Sequence, residues 1–167
     1  AAGYLYTGGP KPYGYVGLGD LSVFLFFGLF AVAGSYYVQA KAVSLLSLLA
    51  AVPIGALATA ILAINNLRDI DTDARAGKHT LAVRMGAAAT RAYIALLLVV
   101  AFALPPLLWL AGLTTFHALA PLLTLPWAYA LIGRVRREQG RALNGCLVRA
   151  AKLELAFAVL FAIGLAR

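Results

Sequence analysis

Residues 43–64, VSLLSLLAAVPIGALATAILAI, run directly into residues 65–86, NNLRDIDTDARAGKHTLAVRMG, and the reading of this junction decides the fold. The first part carries no charge, and as a helix of ~1.5 Å rise per residue it is long enough for the ~30 Å of a bilayer's hydrocarbon core. The second part sets Asp69, Asp71 and Asp73 beside the permanent cations Arg68, Arg75, Lys78 and Arg84, at the mouth of that helix. Asp69 and Asp73 are four apart, so a continued helix places them about 40° apart on one face, with Asp71 on the other side.

Working outward, further apolar segments of spanning length cover residues 21–38, 92–111, 116–132 and 145–165. None alternates with period two, so helices are the expected spanning form. Hydrophobic residues make up 63% of the chain and charged residues 12%, against about 45–50% and about 25% in soluble domains. The fold class is therefore all-α, a polytopic transmembrane bundle of five spans, with residues 1–167 forming one partial domain and no separate soluble unit. No signal-like segment precedes the first span, and the chain reads as the C-terminal portion of something longer.

Five crossings assign every loop to a side. Lys11, Arg68, Arg75, Lys78, Arg84, Arg91, Arg134, Arg136, Arg137, Arg141, Arg149 and Lys152 fall on one side, Lys41 and Arg167 on the other. The positive-inside rule makes the richer side cytoplasmic, so the acidic stretch faces the cytoplasm. The net charge of +8 is thus a charge of orientation in a lipid bilayer, and nucleic acid is not an expected partner.

Ala51, Gly55 and Thr59 form a small-xxx-small series that invites close approach of a neighbouring helix. Pro105 and Pro106 are expected to bend or break the third span, and Pro121 and Pro126 the fourth. Cys146 is the single cysteine, so an internal disulfide is excluded and a small core residue is expected. Residues 6–19 are dense in turn formers and read as a loop; their Gly14, Gly17 and Gly19 lack the βαβ setting of a dinucleotide fingerprint.

The chemistry converges on the junction. Asn65, Asp69 and Asp73 make an i, i+4, i+8 polar stripe offering only oxygen donors, which suits Mg2+ and a phosphate ligand better than zinc or copper. Lys78 and Arg84 are placed to meet the charge of a leaving pyrophosphate, with Arg68 and Arg75 as helpers. His79 is expected at the surface. Tyr36 and Tyr37 read as an interfacial aromatic belt or as the lining of a cavity where an aromatic face steadies a cation. Arg149, Lys152 and Glu154 are expected to pair or snorkel near the interface. A cation transporter subunit is the competing reading, and it calls for charges at midplane depth that the segment centres largely lack.

Asn65-Asn66-Leu67-Arg68-Asp69-x-x-x-Asp73-x-x-x-Gly77-Lys78-x-Thr80-Leu81-Ala82-Val83-Arg84-x-Gly86 resembles the second aspartate-rich motif of the UbiA-type membrane prenyltransferases. Residues 4–10 and 34–39, and Leu143-Asn144, are also similar to that family, on its branch acting on 1,4-dihydroxy-2-naphthoate. The resemblance implies a nine-helix bundle whose last five helices match the spans here, in a cell (inner) membrane. It implies Mg2+ held by Asp69 and Asp73, and substrate contacts from Asn65, Asn66, Arg68, Lys78 and Arg84. Lys78, Arg84 and Tyr36 are then the catalytic candidates. The substrates implied are a polyprenyl diphosphate and 1,4-dihydroxy-2-naphthoate, with 4-hydroxybenzoate as an alternative acceptor. The family's first motif, Asn-Asp-x-x-x-Asp, does not occur in these 167 residues, so an N-terminal half carrying it is the expected partner.

Overall fold

The computed structural model describes residue 8 and residues 12–167; Lys11 and the stretch 4–7 with 9–10 that figured in the resemblance lie outside the described residues. Among the described residues all regular structure is helical. We number the main elements α1 (Gly19–Ala40), α2 (Leu45–Arg68), α3 (Ile70–Arg75), α4 (Leu81–Leu110), α5 (Phe116–Arg137) and α6 (Asn144–Leu165).

α1, α2, α4 and α5 are long and apolar enough to cross a membrane. α6 has the length, 22 residues, but carries Arg149, Lys152 and Glu154 in its sequence, so the expected five spans are four by composition plus one helix with ionisable groups. The chain is a multi-pass membrane bundle.

Each boundary has a local cause. Ser44 caps α2, its hydroxyl accepting from the Ser47 amide at 3.0 Å while the Ser47 hydroxyl accepts from the Ser44 amide at 3.2 Å, a reciprocal capping box. Thr80 caps α4 through the Val83 amide. The expected break at Pro105-Pro106 does not occur, since α4 continues through both to Leu110. A kink lies at Gly86, where φ 79° and ψ 166° describe a backbone that glycine adopts without steric cost. In α5 the prolines act otherwise than expected: Phe116–Thr124 is a 3-10 segment containing Pro121, and Pro126 sits in the first turn of the α-helical part, Leu125–Arg137, where a missing N–H costs nothing.

α2 is the central helix, packed on α1, α4 and α6. Its small-residue series is buried as expected, with Ala51 at 0% and Thr59 at 1% exposure. A Cβ added at Gly28 of α1 would lie 2.7 Å from the Gly55 Cα, so the two backbones touch. That crossing falls within Phe24–Phe30, a π-helical insert in α1. α5 and α6 meet as closely, through Gly164 against the His117 carbonyl. Between these crossings Phe102 and Phe157 stack edge to face at 5.2 Å over a core of Ile94, Leu98, Leu131 and Leu153. Cys146 is a fully buried core residue, its thiol donating to Glu138 at 3.2 Å.

Leu46, residues 112–115 and Leu165 with Arg167 border one hollow at one end of the bundle. The opposite end is tied by Tyr15 to His79, Arg68 to Asn144 and Arg91 to Val135. That end holds the acidic stretch.

Candidate functional site

α2 stops at Arg68 because Asp69, at φ −100° and ψ 10°, leaves the helical region before α3 restarts the turn. The expected unbroken stripe is therefore two helical pieces joined at Asp69. Backbone bonds still carry the i, i+4 spacing across the joint, from the Asp69 amide to the Asn65 carbonyl at 3.1 Å and from the Asp73 amide to the Asp69 carbonyl at 2.8 Å. Asp73 is buried, at 8% exposure, Asp69 is half-buried and Asp71 is exposed.

Arg68 is the hub. Its guanidinium grips the Asp69 carboxylate at 2.8 and 2.5 Å, donates to the Asn65 Oδ1 at 2.9 Å, and reaches across the fold to the Asn144 Oδ1 at 2.9 Å. All three partners accept from a permanent cation, so the joint between α2 and α3 is pinned to the start of α6. The same hydrogen bond holds the Asp69 carboxyl below its usual range.

The second pair is Asp73 with Lys78, at 2.9 Å. It is closed by a tight loop in which Gly77 has φ 70° and the Lys78 amide returns to the Asp73 carbonyl at 3.0 Å. The Lys78 ammonium also stands 5.0 Å from the centre of the Tyr15 ring, within cation–π range. Asp73 holds the Lys78 amine above its usual range. Arg84 does not join either carboxylate; it donates to the His79 carbonyl at 3.1 Å and packs over Gly17, where an added Cβ would meet its Nε at 3.2 Å. The His79 amide bonds to the Tyr15 carbonyl at 2.8 Å. The loop preceding α1 is thereby laid over the acidic stretch.

Asn65, Arg68, Asp69, Asp73 and Lys78 are thus brought together, Asn66 is buried beside them, and Arg84 stands at the edge. Tyr36 is not among them. α1 begins beside the acidic stretch, and Tyr36 lies seventeen residues after Gly19, about 25 Å further along the axis, half exposed near the other end.

Sequence reasoning missed four participants. Tyr15 falls in the stretch 6–19 that reads only as a loop. Asn144 entered only as part of a resemblance, with no hint that it meets Arg68. Asp20, in the first turn of α1, is buried at 5% exposure, with one carboxylate oxygen unpartnered among the described residues. Glu154, expected near the interface, is ten residues into α6, about 15 Å deep. It lines a groove of about 600 Å3 with Asn65, Ile61, Val23, Phe27 and Ala151. The groove starts at the acidic stretch and is otherwise apolar, a shape suited to a hydrocarbon tail beneath a polar head.

The model of the UbiA prenyltransferase family matches residues 1–165. The chain belongs to the UbiA prenyltransferase family. Among its relatives, "1,4-dihydroxy-2-naphthoate octaprenyltransferase" of Mycobacterium tuberculosis is 50% identical over 140 residues, 84% of this chain and 47% of that protein. The Escherichia coli protein of the same name is 41% identical over 165 residues, 98% of this chain and 54% of that protein. Human "UbiA prenyltransferase domain-containing protein 1" is 37% identical over 164 residues, 97% of this chain and 46% of that protein. The chain spans about half the length of the curated relatives it matches. Within that family its acidic stretch sits where the helices' polar ends converge.

Divalent-metal dependence is general in this family, and the donor set bears on it directly. Among the described residues no three His, Cys, Asp or Glu side chains gather as a metal cluster. Asp69 and Asp73 supply hard oxygens only, and Mg2+ commonly takes one or two carboxylates with the remainder from water and substrate phosphate. Two carboxylates fit that pattern, each held ready by a cation that a diphosphate can also engage.

Proposed function

We propose that the protein containing this chain transfers a polyprenyl group from polyprenyl diphosphate to 1,4-dihydroxy-2-naphthoate, releasing pyrophosphate and the carboxyl group as carbon dioxide, and so serves menaquinone synthesis. The observation that carries this reading is the 50% identity to a relative of that name over most of the chain. The acidic stretch supports it, because the substrate needs a hydrocarbon channel and a charged, oxygen-rich mouth in one place.

Asp69 and Asp73 are the residues that would hold Mg2+, which, when bound, supplies positive charge to the diphosphate. Arg68 and Lys78 each sit within hydrogen-bonding distance of one of these carboxylates and can turn from carboxylate to phosphate as the diphosphate enters. Their charge then favours the bond-breaking state in which the leaving group gains negative charge. Arg84 lies exposed at the rim as a further phosphate contact, and Asn65 and Asn66 line the approach. The groove below holds the tail and keeps water from the allylic carbon. The family's first aspartate-rich motif, supplied by the remainder of the protein, completes the ligand set. The acidic stretch faces the cytoplasm of the cell membrane by its surplus of cations.

The test is an assay of the full-length protein with a polyprenyl diphosphate, offering the naphthoate and 4-hydroxybenzoate in parallel and weighing products by mass spectrometry. Product from the naphthoate, dependent on Mg2+ and lost in Asp69→Asn, is the expected outcome. Product only from the benzoate would move the assignment to another acceptor. Metal flux with no product from either would replace the enzyme by a transporter.

A further inference from the structure

At the charged end of the bundle α5 and α6 leave a hollow of about 330 Å3 whose walls are Trp127 and Ala130 on one helix and Arg149 and Lys152 on the other. Both pairs are three apart, so each forms one face of its helix. All four residues are exposed. Among the described residues neither Arg149 nor Lys152 has an ion-pair or hydrogen-bond partner. The nearest acids in sequence are engaged elsewhere: Glu138 is bound to Arg134 at 2.6 Å, and Glu154 lines the groove on another face of α6. Two like charges one turn apart repel, and in a spanning helix they are costly without a counter-ion.

Depth defines the missing anion. Asn144 is fixed at the charged end by its bond to Arg68. Arg149 and Lys152 follow five and eight residues later, about 8 and 12 Å along the axis, from which long side chains snorkel back towards the headgroups. Trp127 presents an amphipathic ring at the same level. A second hollow, sharing Ala130, continues the basic surface through Arg134, Arg136 and Arg137.

We propose that this hollow binds the phosphate of an anionic phospholipid from the surrounding leaflet, held by Arg149 and Lys152 with its glycerol backbone against Trp127. Charge complementarity selects the headgroup, and the depth selects a lipid over a soluble anion. The site lies on another flank from the tail groove and does not depend on the reaction assigned above.

The test uses the full-length protein with every tryptophan except Trp127 replaced by phenylalanine, in vesicles containing brominated phosphatidylglycerol or brominated phosphatidylcholine as quencher of Trp127. The expected result is a preference for phosphatidylglycerol of about tenfold or more. It falls to parity in Arg149→Gln/Lys152→Gln and survives in the charge-keeping Arg149→Lys/Lys152→Arg. Arg136→Gln/Arg137→Gln removes the same charge outside this hollow and keeps most of the preference. Equal quenching by both lipids in the starting protein would overturn the proposal, as would an undiminished preference in the first variant or an equal loss in Arg136→Gln/Arg137→Gln, which would reduce the effect to diffuse surface charge.

Discussion

Two turns at the same end of this bundle treat charge in opposite ways. Around the turn from α2 to α4 acids and bases lie close together, and Arg68 with Asp69 and Lys78 with Asp73 close into pairs. Around the turn from α5 to α6 one acid, Glu138, pairs with Arg134 and accepts from the Cys146 thiol, while Arg136, Arg137, Arg141, Arg149 and Lys152 have no acid partner among the described residues. The first turn is a network whose members already satisfy one another. The second is a field of single charges that waits for anions from outside. One end of the molecule thus carries both a closed network of acid–base pairs and a surface of unpaired cations.

The largest effect separates the buried carboxylate from its exposed neighbour. In the full-length protein, Asp73→Asn is expected to lower the proposed turnover by about two orders of magnitude or more, since on that proposal a metal-holding charge is removed beside the diphosphate. Asp71→Asn, two residues away and exposed, should leave turnover within about twofold. Steady-state rates at saturating metal check both. Equal losses in the two variants would mean that only the net charge of the turn matters.

Next is the hub. Arg68→Ala strips Asp69, Asn65 and Asn144 of a shared donor, and a loss of about 1–3 kcal/mol of stability is expected for partly exposed charge-assisted bonds. Arg136→Ala, at an exposed position in the other turn, should change stability by no more than about 0.5 kcal/mol. Thermal unfolding in detergent reads the difference.

These residues also mark what the chain discloses by itself. The spans were legible because an apolar run longer than a bilayer has few alternatives, and the Asp69 and Asp73 pair was legible because its spacing is local. The bond from Arg68 to Asn144 joins residues 76 apart, and no periodicity announces it. The kink at Gly86 was hidden for a related reason: prolines signal themselves in sequence, whereas Gly86 departs from the helix in α4 through a conformation visible only in coordinates. Glu154 was read by its neighbours in sequence as interfacial, yet helix geometry carries it down to the groove. Tyr36 entered as a candidate for its aromatic face, although Lys41 on the opposite side already places the end of that span away from the acidic stretch.

Acidity should distinguish the two turns as well. The Asp69 carboxyl is held below its usual value by Arg68, so that pair contributes fully above the ordinary carboxylate range and is lost as pH falls through the lowered folded value. The Lys78 amine is held above its usual value by Asp73, so its contribution is full below the ordinary lysine range and is lost as pH rises through the raised folded value. Stability owed to this network is therefore flat from about pH 5 to about pH 10. Asp69→Asn should abolish the acid limb of a melting-temperature profile and leave the alkaline limb, and Lys78→Met the reverse.

The smallest effect concerns how the paired turn is roofed. Tyr15 offers its ring to the Lys78 ammonium and its carbonyl to the His79 amide, and only the first depends on the side chain. Tyr15→Leu keeps an apolar cover and the backbone bond but removes the ring's negative face, so about 0.5–1 kcal/mol should be lost at this solvent-accessible contact. Tyr15→Phe keeps the face and should lose almost nothing. If the contact matters through Lys78, the cost of Tyr15→Leu disappears once Lys78 is methionine, because the cation it served is gone. If the same cost persists, the ring is packing the loop before α1 onto the turn by its bulk, and the link between that loop and the acidic stretch is steric.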